Sequence, residues 1–457
     1  MLQSIQMVGS KYKLKMKNKT AILFLTIALI ALLLGMFFGV LSGFQYLVPE
    51  FIKETLPFNS LRPLHVTSVI SWIILSSSGG IYFYISHSFH LFSKKLVKIH
   101  FAIFLFTGVF IYGCYFFGIK GGREYLEFPP LLILPILIGW FLFGINYFKT
   151  VFQKPYQWPV YYCMWGTGIV FMTYHLCEAY FWLMPSFRQN YIKDLAVQWK
   201  AGGSFVGSWN MLVYGTALFL MSKISQDNSI GTKKESFFFY FLGLINLMFG
   251  WAHHVYIIPT APWIRYFAYA ISMTEWIILF HIIYKWKNSL SENSKSNHFL
   301  SYKFLVLADY WIFLNLILAL LFSIPAINLF THGTLITVAH SMGTTIGINT
   351  TILLASILYI IAKINPDFDC KSRQLQIGFS IFKVSFFVFW ISLLLAGIKK
   401  SHWMYFTKDI SFAEMQVSLY GYYCMFLFSG IGIFIGLCLI IIPLINELKK
   451  GYFTKLN

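Results

Sequence analysis

Apolar residues along this chain gather in long uninterrupted runs, near 20-47, 62-87, 99-119, 129-148, 157-184, 203-222, 235-258, 264-284, 302-325, 332-362, 377-398 and 419-446, with short polar joins between them. Each run approaches or exceeds the ~20 residues with which a helix rising ~1.5 Å per residue crosses a ~30 Å hydrocarbon core. The pattern predicts an all-α integral membrane protein of about twelve transmembrane helices. It divides the chain into a basic tail over 1-19, a membrane domain over 20-447 and a second tail over 448-457.

Charge then sets the orientation. Twelve crossings put both termini on one side, and that side receives Lys11, Lys13, Lys15, Lys17 and Lys19, then Lys94, Lys95 and Lys98, then Lys285, Lys287, Lys295 and Lys303, then Lys449 and Lys450, among more than half of the 35 Lys and Arg. The positive-inside rule makes it the cytoplasmic side. The net charge of +19 is therefore read as topology, and no nucleic-acid partner is expected. The run after Lys19 is too long for a signal-peptide core and has no small-residue cleavage site, so it reads as a retained helix.

With 58% hydrophobic and 11% charged residues, there is no room for a large soluble enzyme module. Aromatic residues at 20% exceed what an interfacial belt requires and point to planar ligands between helices. The six cysteines, Cys114, Cys163, Cys177, Cys370, Cys424 and Cys438, form no CxxC or CxxCH pattern, which leaves them as packing residues without a covalent haem.

Ionisable residues inside helices carry the remaining information, because each costs several kcal/mol in lipid without a partner. His65, His175, His253, His254, His332 and His340 all fall within roughly 15 Å of the non-cytoplasmic surface, counted at 1.5 Å per residue. His340 and Met342 stand two residues apart, so two steps of ~100° place them on opposite sides of one helix, where each can serve a different planar haem. The adjacent His253 and His254 can converge on one metal. His65, shortly after Arg62, can supply a further axial ligand. Singly, each reads as a buried packing residue; jointly they read as a redox centre.

These residues resemble the haem-copper oxidase superfamily and, within it, the large catalytic subunit of bacterial nitric oxide reductase. The resemblance is carried by Arg62-Pro-Leu-His65, Gly122-Arg-Glu-Tyr-Leu-Glu127, His253-His254 with Pro259 and Trp263, Ser272-Met-Thr-Glu275, and Thr331-His332-Gly-Thr running into His340. It implies a subunit I-like helical bundle in which His65 holds a low-spin haem b and His340 a high-spin haem b3. It places His253 and His254 on a non-haem iron, with copper as the other candidate metal. Glu124 resembles a ligand of a calcium ion that bridges haem propionates, and Arg62, Arg123, Arg265 and His332 are expected near those propionates. Glu275 looks like a carboxylate on the proton route; oxygen-reducing members do not normally carry an acid there.

Two departures qualify the match. Met342 stands where the family has His, which makes the low-spin ligand pair His65/Met342. The sixth helix of the family gives the non-haem iron a His and a Glu, but aligning Gly207-Ser-Trp209 leaves Gly202 and Val206 at those positions. His175 and Glu178, at i and i+3 on one face of the fifth helix, are the expected replacement, Glu178 ahead of His175, with mutual structural pairing as the alternative.

The expected activity is reduction of NO to N2O, with Glu178 and Glu275 handling protons. Electrons are expected from a cytochrome c-type subunit, another soluble donor or quinol. The alternatives are a terminal oxygen reductase, an NO-dismutating relative and, in another class, a haem-free membrane transporter.

Overall fold

The structure is a computed structural model that describes residues 18-154, 158-407 and 409-453. Most of the expected tail 1-19 and residues 454-457 thus lie outside the described residues. Within them the chain is helical throughout and holds no strand, apart from a single bridge between Arg123 and Leu126. This suits a lipid solvent, in which a backbone must satisfy its hydrogen bonds within each segment.

The long helices are α1 (Lys19–Leu47), α2 (Phe58–Ser88), α3 (Lys94–Phe116), α4 (Ile133–Val151), α5 (Val160–Glu178) and α6 (Tyr191–Ser225). They continue as α7 (Lys234–Phe249), α8 (Pro262–Ile271), α9 (Thr274–Ser289), α10 (Phe299–Ser323), α11 (Leu335–Met342), α12 (Thr351–Ile364), α13 (Arg373–Phe406) and α14 (Tyr420–Phe453). Eleven helical segments among the described residues are long and apolar enough to cross a membrane. The expected fifth crossing, α5, is a helix of 19 residues that falls short of that measure. Its polar Thr167, Thr173, His175 and Glu178 dilute the apolar run while it packs against α6.

Small residues bring the helices together. A Cβ on Gly79 of α2 would lie 2.8 Å from Phe24 of α1, and one on Gly436 of α14 would lie 2.7 Å from the backbone nitrogen of Phe382 in α13. Close backbone approach of this kind gains dispersion contacts where lipid offers no hydrophobic drive.

Three expected helices depart from regularity, all near the same region. The sixth begins at Tyr191, twelve residues before its apolar run at 203, because a polar entry with Asp194 in the first turn, and Asn190 capping Lys193, extends it outward. The eighth breaks between α8 and α9 at Met273, whose φ of 57° is in the left-handed region, a strain that surrounding contacts must hold. The tenth passes from α11 into a π-helical stretch, Gly343–Thr350, before α12. Just before it the carbonyl of His340 accepts from Asn315 Nδ2 at 3.0 Å as well as from Thr344 Oγ1 at 3.2 Å. Gly343 permits this approach, since a Cβ there would lie 2.5 Å from Asn315 Oδ1. π-Turns of this kind recur at functional sites.

Candidate functional site

One cavity of about 600 Å³ gathers His65 from α2, His253 and His254 from the turn after α7, and His332, His340 and Met342 from around α11. Phe322, Phe389, Phe426 and Ile433 line its apolar wall, and Arg62, Glu124 and Lys400 its polar end. An apolar body with a cationic end suits a planar macrocycle bearing carboxylates.

The histidines are held from behind. His65 Nδ1 lies 2.7 Å from the carbonyl of Gly35, to which it donates, leaving Nε2 as the lone-pair nitrogen in the arrangement typical of metal-binding histidines. Gly39 of α1 leaves the space that this ring fills, for a Cβ there would lie 2.9 Å from its Cε1 and Nδ1. The ring of His340 lies beside Trp276 at 6.1 Å and Phe322 at 5.7 Å, and its Nδ1 is buried without a hydrogen-bond partner. The backing of His65 and the unpartnered His340 fit haem ligation.

His253 and His254 sit on a 3₁₀ turn, Gly250–Val255, and not on a regular α-helix. Their rings are 4.1 Å apart between centroids and inclined at 44°. Asn328 Nδ2 donates to the carbonyl of His253 at 3.2 Å, and Ser272 Oγ lies 3.5 Å from its Nδ1. Three residues further on, Glu275 is buried; one carboxylate oxygen accepts from Asn246 Nδ2 at 2.8 Å and the other has no partner. Asn246 also accepts from the Met273 backbone at 3.4 Å. One amide thus holds both the strained turn and the carboxylate.

His175 and Glu178 lie apart from this cavity. They pair with each other, His175 Nδ1 to Glu178 Oε2 at 2.9 Å, and the second carboxylate oxygen bonds Lys200 of α6. His175 lines a small pocket of about 30 Å³ with Arg123, Glu124, Tyr180 and Gln198. Both carboxylate oxygens are therefore occupied, and the cationic partner that a buried Glu178 requires is Lys200. Among the described residues, no three His, Cys, Asp or Glu side chains converge to hold a metal.

The arginines separate likewise. Arg62 reaches Glu124 and, at 3.2 Å, Glu127. Its guanidinium stands against the carboxylate expected to hold calcium, so this arrangement does not fit a bridging cation. Burial pushes the Glu127 carboxyl above its ordinary range, against the pull of Arg62. Arg123 pairs with Asp194 at 2.7 Å over the ring of Trp182, and Arg265 lines an outer pocket with Tyr256 and Pro259. Neither lines the main cavity.

The sequence reading missed several participants: Lys200, Trp199, Asn246, Asn315 and Lys400. Lys400 reaches the cavity from the end of α13 and donates to the carbonyl of Gly333 at 3.1 Å. Only its place in the basic pair Lys399-Lys400 marked it.

Residues 19–452 match the family described as Cytochrome C and Quinol oxidase polypeptide I. The chain is 23% identical to a subunit of the nitric oxide reductase of Stutzerimonas stutzeri over 406 residues, covering 81% of this chain and 82% of that protein. It superposes on a heme-copper terminal oxidase, solved as a dimer, with a TM-score of 0.71 at 16% identity, covering 96% of this chain and 84% of the other. That likeness concerns the fold.

Proposed function

Because the chain belongs to the Cytochrome C and Quinol oxidase polypeptide I family, we propose that it is the catalytic subunit of a membrane oxidoreductase that reduces two NO, with two electrons and two protons, to N2O and water. The observation that carries this reading is the Ser272–Glu275 segment. Its serine lies against His253, and its glutamate keeps a buried carboxylate oxygen unpartnered, as a group handling protons beside a reaction site would.

In this reading His65 and Met342 hold the low-spin haem b and His340 the high-spin haem b3. His253 and His254 hold the non-haem metal. When bound, such groups would supply the electron-transfer and gas-binding chemistry. The chain's own residues fix the ligands: Gly35 sets the tautomer of His65, Asn328 and Ser272 steady His253, and Asn315 braces the helix at His340. Arg62 and Lys400 offer cations to haem carboxylates at the polar end. His332, on the same wall, offers a hydrogen bond. Electrons come from a separate donor, a cytochrome c-type subunit or quinol, and the protein sits in a bacterial inner membrane with both termini cytoplasmic.

The deciding experiment records the Soret spectrum of the purified protein and compares gas consumption with NO and with O2. Two haems b per chain and NO consumption are expected. Faster O2 turnover would make it a terminal oxidase, and an absent Soret band would return the chain to the transporter class.

Two variants test the low-spin site. Met342→His is expected to keep that haem but lower its midpoint potential by on the order of 100 mV, since imidazole replaces a weaker thioether donor; redox titration reads the shift, and an unmoved potential removes Met342 as a ligand. Gly39→Ala is expected to displace the His65 ring and deplete the low-spin haem selectively, seen as a reduced α-band at unchanged high-spin signal.

A further inference from the structure

A serine buried in a helix ordinarily bonds a carbonyl about one turn back. Ser68 and Ser86, toward the two ends of α2, do so with Leu64 and Phe83, and Ser208, Thr216 and Ser323 follow the same habit elsewhere. Ser76, Ser77 and Ser78, in the middle of α2, do not. They are at most 2% exposed, and among the described residues their hydroxyls meet no hydrogen-bond partner. An orphan hydroxyl is costly in an apolar interior, and internal water is the usual partner of such groups.

Ser76 belongs to a buried face of α2 that repeats every fourth residue, through Trp72, Ser76, Gly80 and Tyr84. This face runs about 18 Å along the axis, more than half of a ~30 Å hydrocarbon core. Polar groups answer it from the facing helix. Tyr84 Oη lies 2.6 Å from Ser356 Oγ of α12, and Trp72 Nε1 donates to Thr350 Oγ1 at 3.0 Å. Thr350 donates to the carbonyl of Thr345 at 2.8 Å, five residues back in the π-helical stretch, and the next residue, Ile346, lines the main cavity. Beside Thr350, Asn349 donates to Asn210 of α6 at 3.0 Å and keeps its own amide oxygen buried and unpartnered. One turn further along α6, the Tyr214 hydroxyl accepts from Trp276, the neighbour of Glu275. Toward the cytoplasmic end, the Tyr84 ring stands 6.5 Å from that of Tyr359, and Tyr359 stands 5.4 Å from His298 at the start of α10. The buried Nδ1 of His298 also has no partner. Between these two polar ends is Gly80, where a Cβ would lie 3.5 Å from Ser356 Oγ and 3.7 Å from the Tyr84 ring. Alanine would fit there; glycine leaves a methyl-sized space beside the Ser356 hydroxyl.

We propose that α2 and α12 enclose a file of internal water that carries protons from the cytoplasmic end of the bundle, at His298 and Tyr359, to the main cavity at the π-helical stretch. Hydroxyls both donate and accept, so a chain of them joined by water passes a proton by exchanging hydrogen bonds, which the apolar helix faces around them cannot do. This rests on the reading of the chain as a gas-reducing subunit. The two protons consumed with two electrons for each N2O are then drawn from the cytoplasm.

The test joins a density map to turnover in vesicles. A cryo-EM map of the full chain, at a resolution that shows water, is expected to hold ordered water against Ser76 and Ser77. In sealed vesicles with the His298 end of the bundle inward and a pH-sensitive dye trapped inside, protons are expected to vanish from the interior as NO is consumed. Gly80→Ala sets a methyl group into the file and removes no polar group, and Tyr84→Phe removes one hydroxyl; each is expected to lower turnover by about tenfold or more at unchanged haem spectra. A merely structural seam would instead leave Gly80→Ala with full turnover and equal or higher thermal stability, since alanine favours the helix. A dry seam with Ser76 and Ser77 bonded to carbonyls of their own helix overturns the proposal. So does proton uptake from the exterior alone, or wild-type turnover in both variants. A chain that consumes O2 in place of NO overturns the NO reading alone, because the same dye still reports the side from which protons are drawn. A chain that reduces neither gas overturns both.

Discussion

Replacing Glu275 with glutamine is expected to lower NO turnover by about 10²- to 10⁴-fold, the usual worth of a positioned proton donor or acceptor, with both haem spectra intact. Glutamine keeps the side-chain length and the acceptor oxygen that Asn246 engages at 2.8 Å. What it removes is the titratable oxygen, which is buried and unpartnered. The substitution thus separates proton handling from packing, a distinction alanine would blur by opening a cavity. Single-turnover reduction of NO, measured beside the spectrum, checks the outcome. Wild-type turnover in Glu275→Gln would assign this carboxylate a purely structural place against Asn246 and Met273.

Lys200→Met is expected to destabilise the protein by about 3–5 kcal/mol, the cost of leaving a buried charge without its partner. The Glu178 side chain is 7% exposed, and its remaining partner, His175, is itself 4% exposed. Methionine preserves much of the aliphatic stem of Lys200 but carries no charge. The double variant Lys200→Met/Glu178→Gln should recover most of the loss, because the unpaired charge disappears with its cause. Thermal inactivation in detergent, followed by loss of the Soret band, measures both. Full stability of Lys200→Met would mean that the ion pair does not support α5 against α6. Loss of metal in Glu178→Gln, at unchanged stability, would instead restore Glu178 as a ligand.

The candidate ligand residues were legible in the sequence for a specific reason. His65, His340, Met342 and the His253-His254 pair stand in runs so apolar that a polar or metal-binding side chain there is conspicuous, and the structure brings all five to one cavity. His175 and Glu178 were equally conspicuous, and their pairing at i and i+3 was readable from helical spacing. Their third partner was not. Lys200 precedes the apolar run that marks the sixth helix, and only the early start of α6 at Tyr191 carries it to Glu178. The arginines repeat the lesson: a motif marks Arg62 and Arg123 as functional, but the packing of α2 and of the loop after α3 decides that one reaches the cavity and the other pairs with Asp194.

The order of the helices, their membrane setting and the candidate haem-binding residues can be read from the chain's pattern of apolar runs. A lipid solvent permits few backbone solutions, and long apolar runs announce them. Only helix packing decides which charges pair, that the two adjacent histidines sit on a 3₁₀ turn, and that Gly203 packs against the root of Trp251. Those outcomes depend on contacts between helices distant in the chain and on local departures from α-helical geometry. The 3.6-residue period of a helix encodes neither.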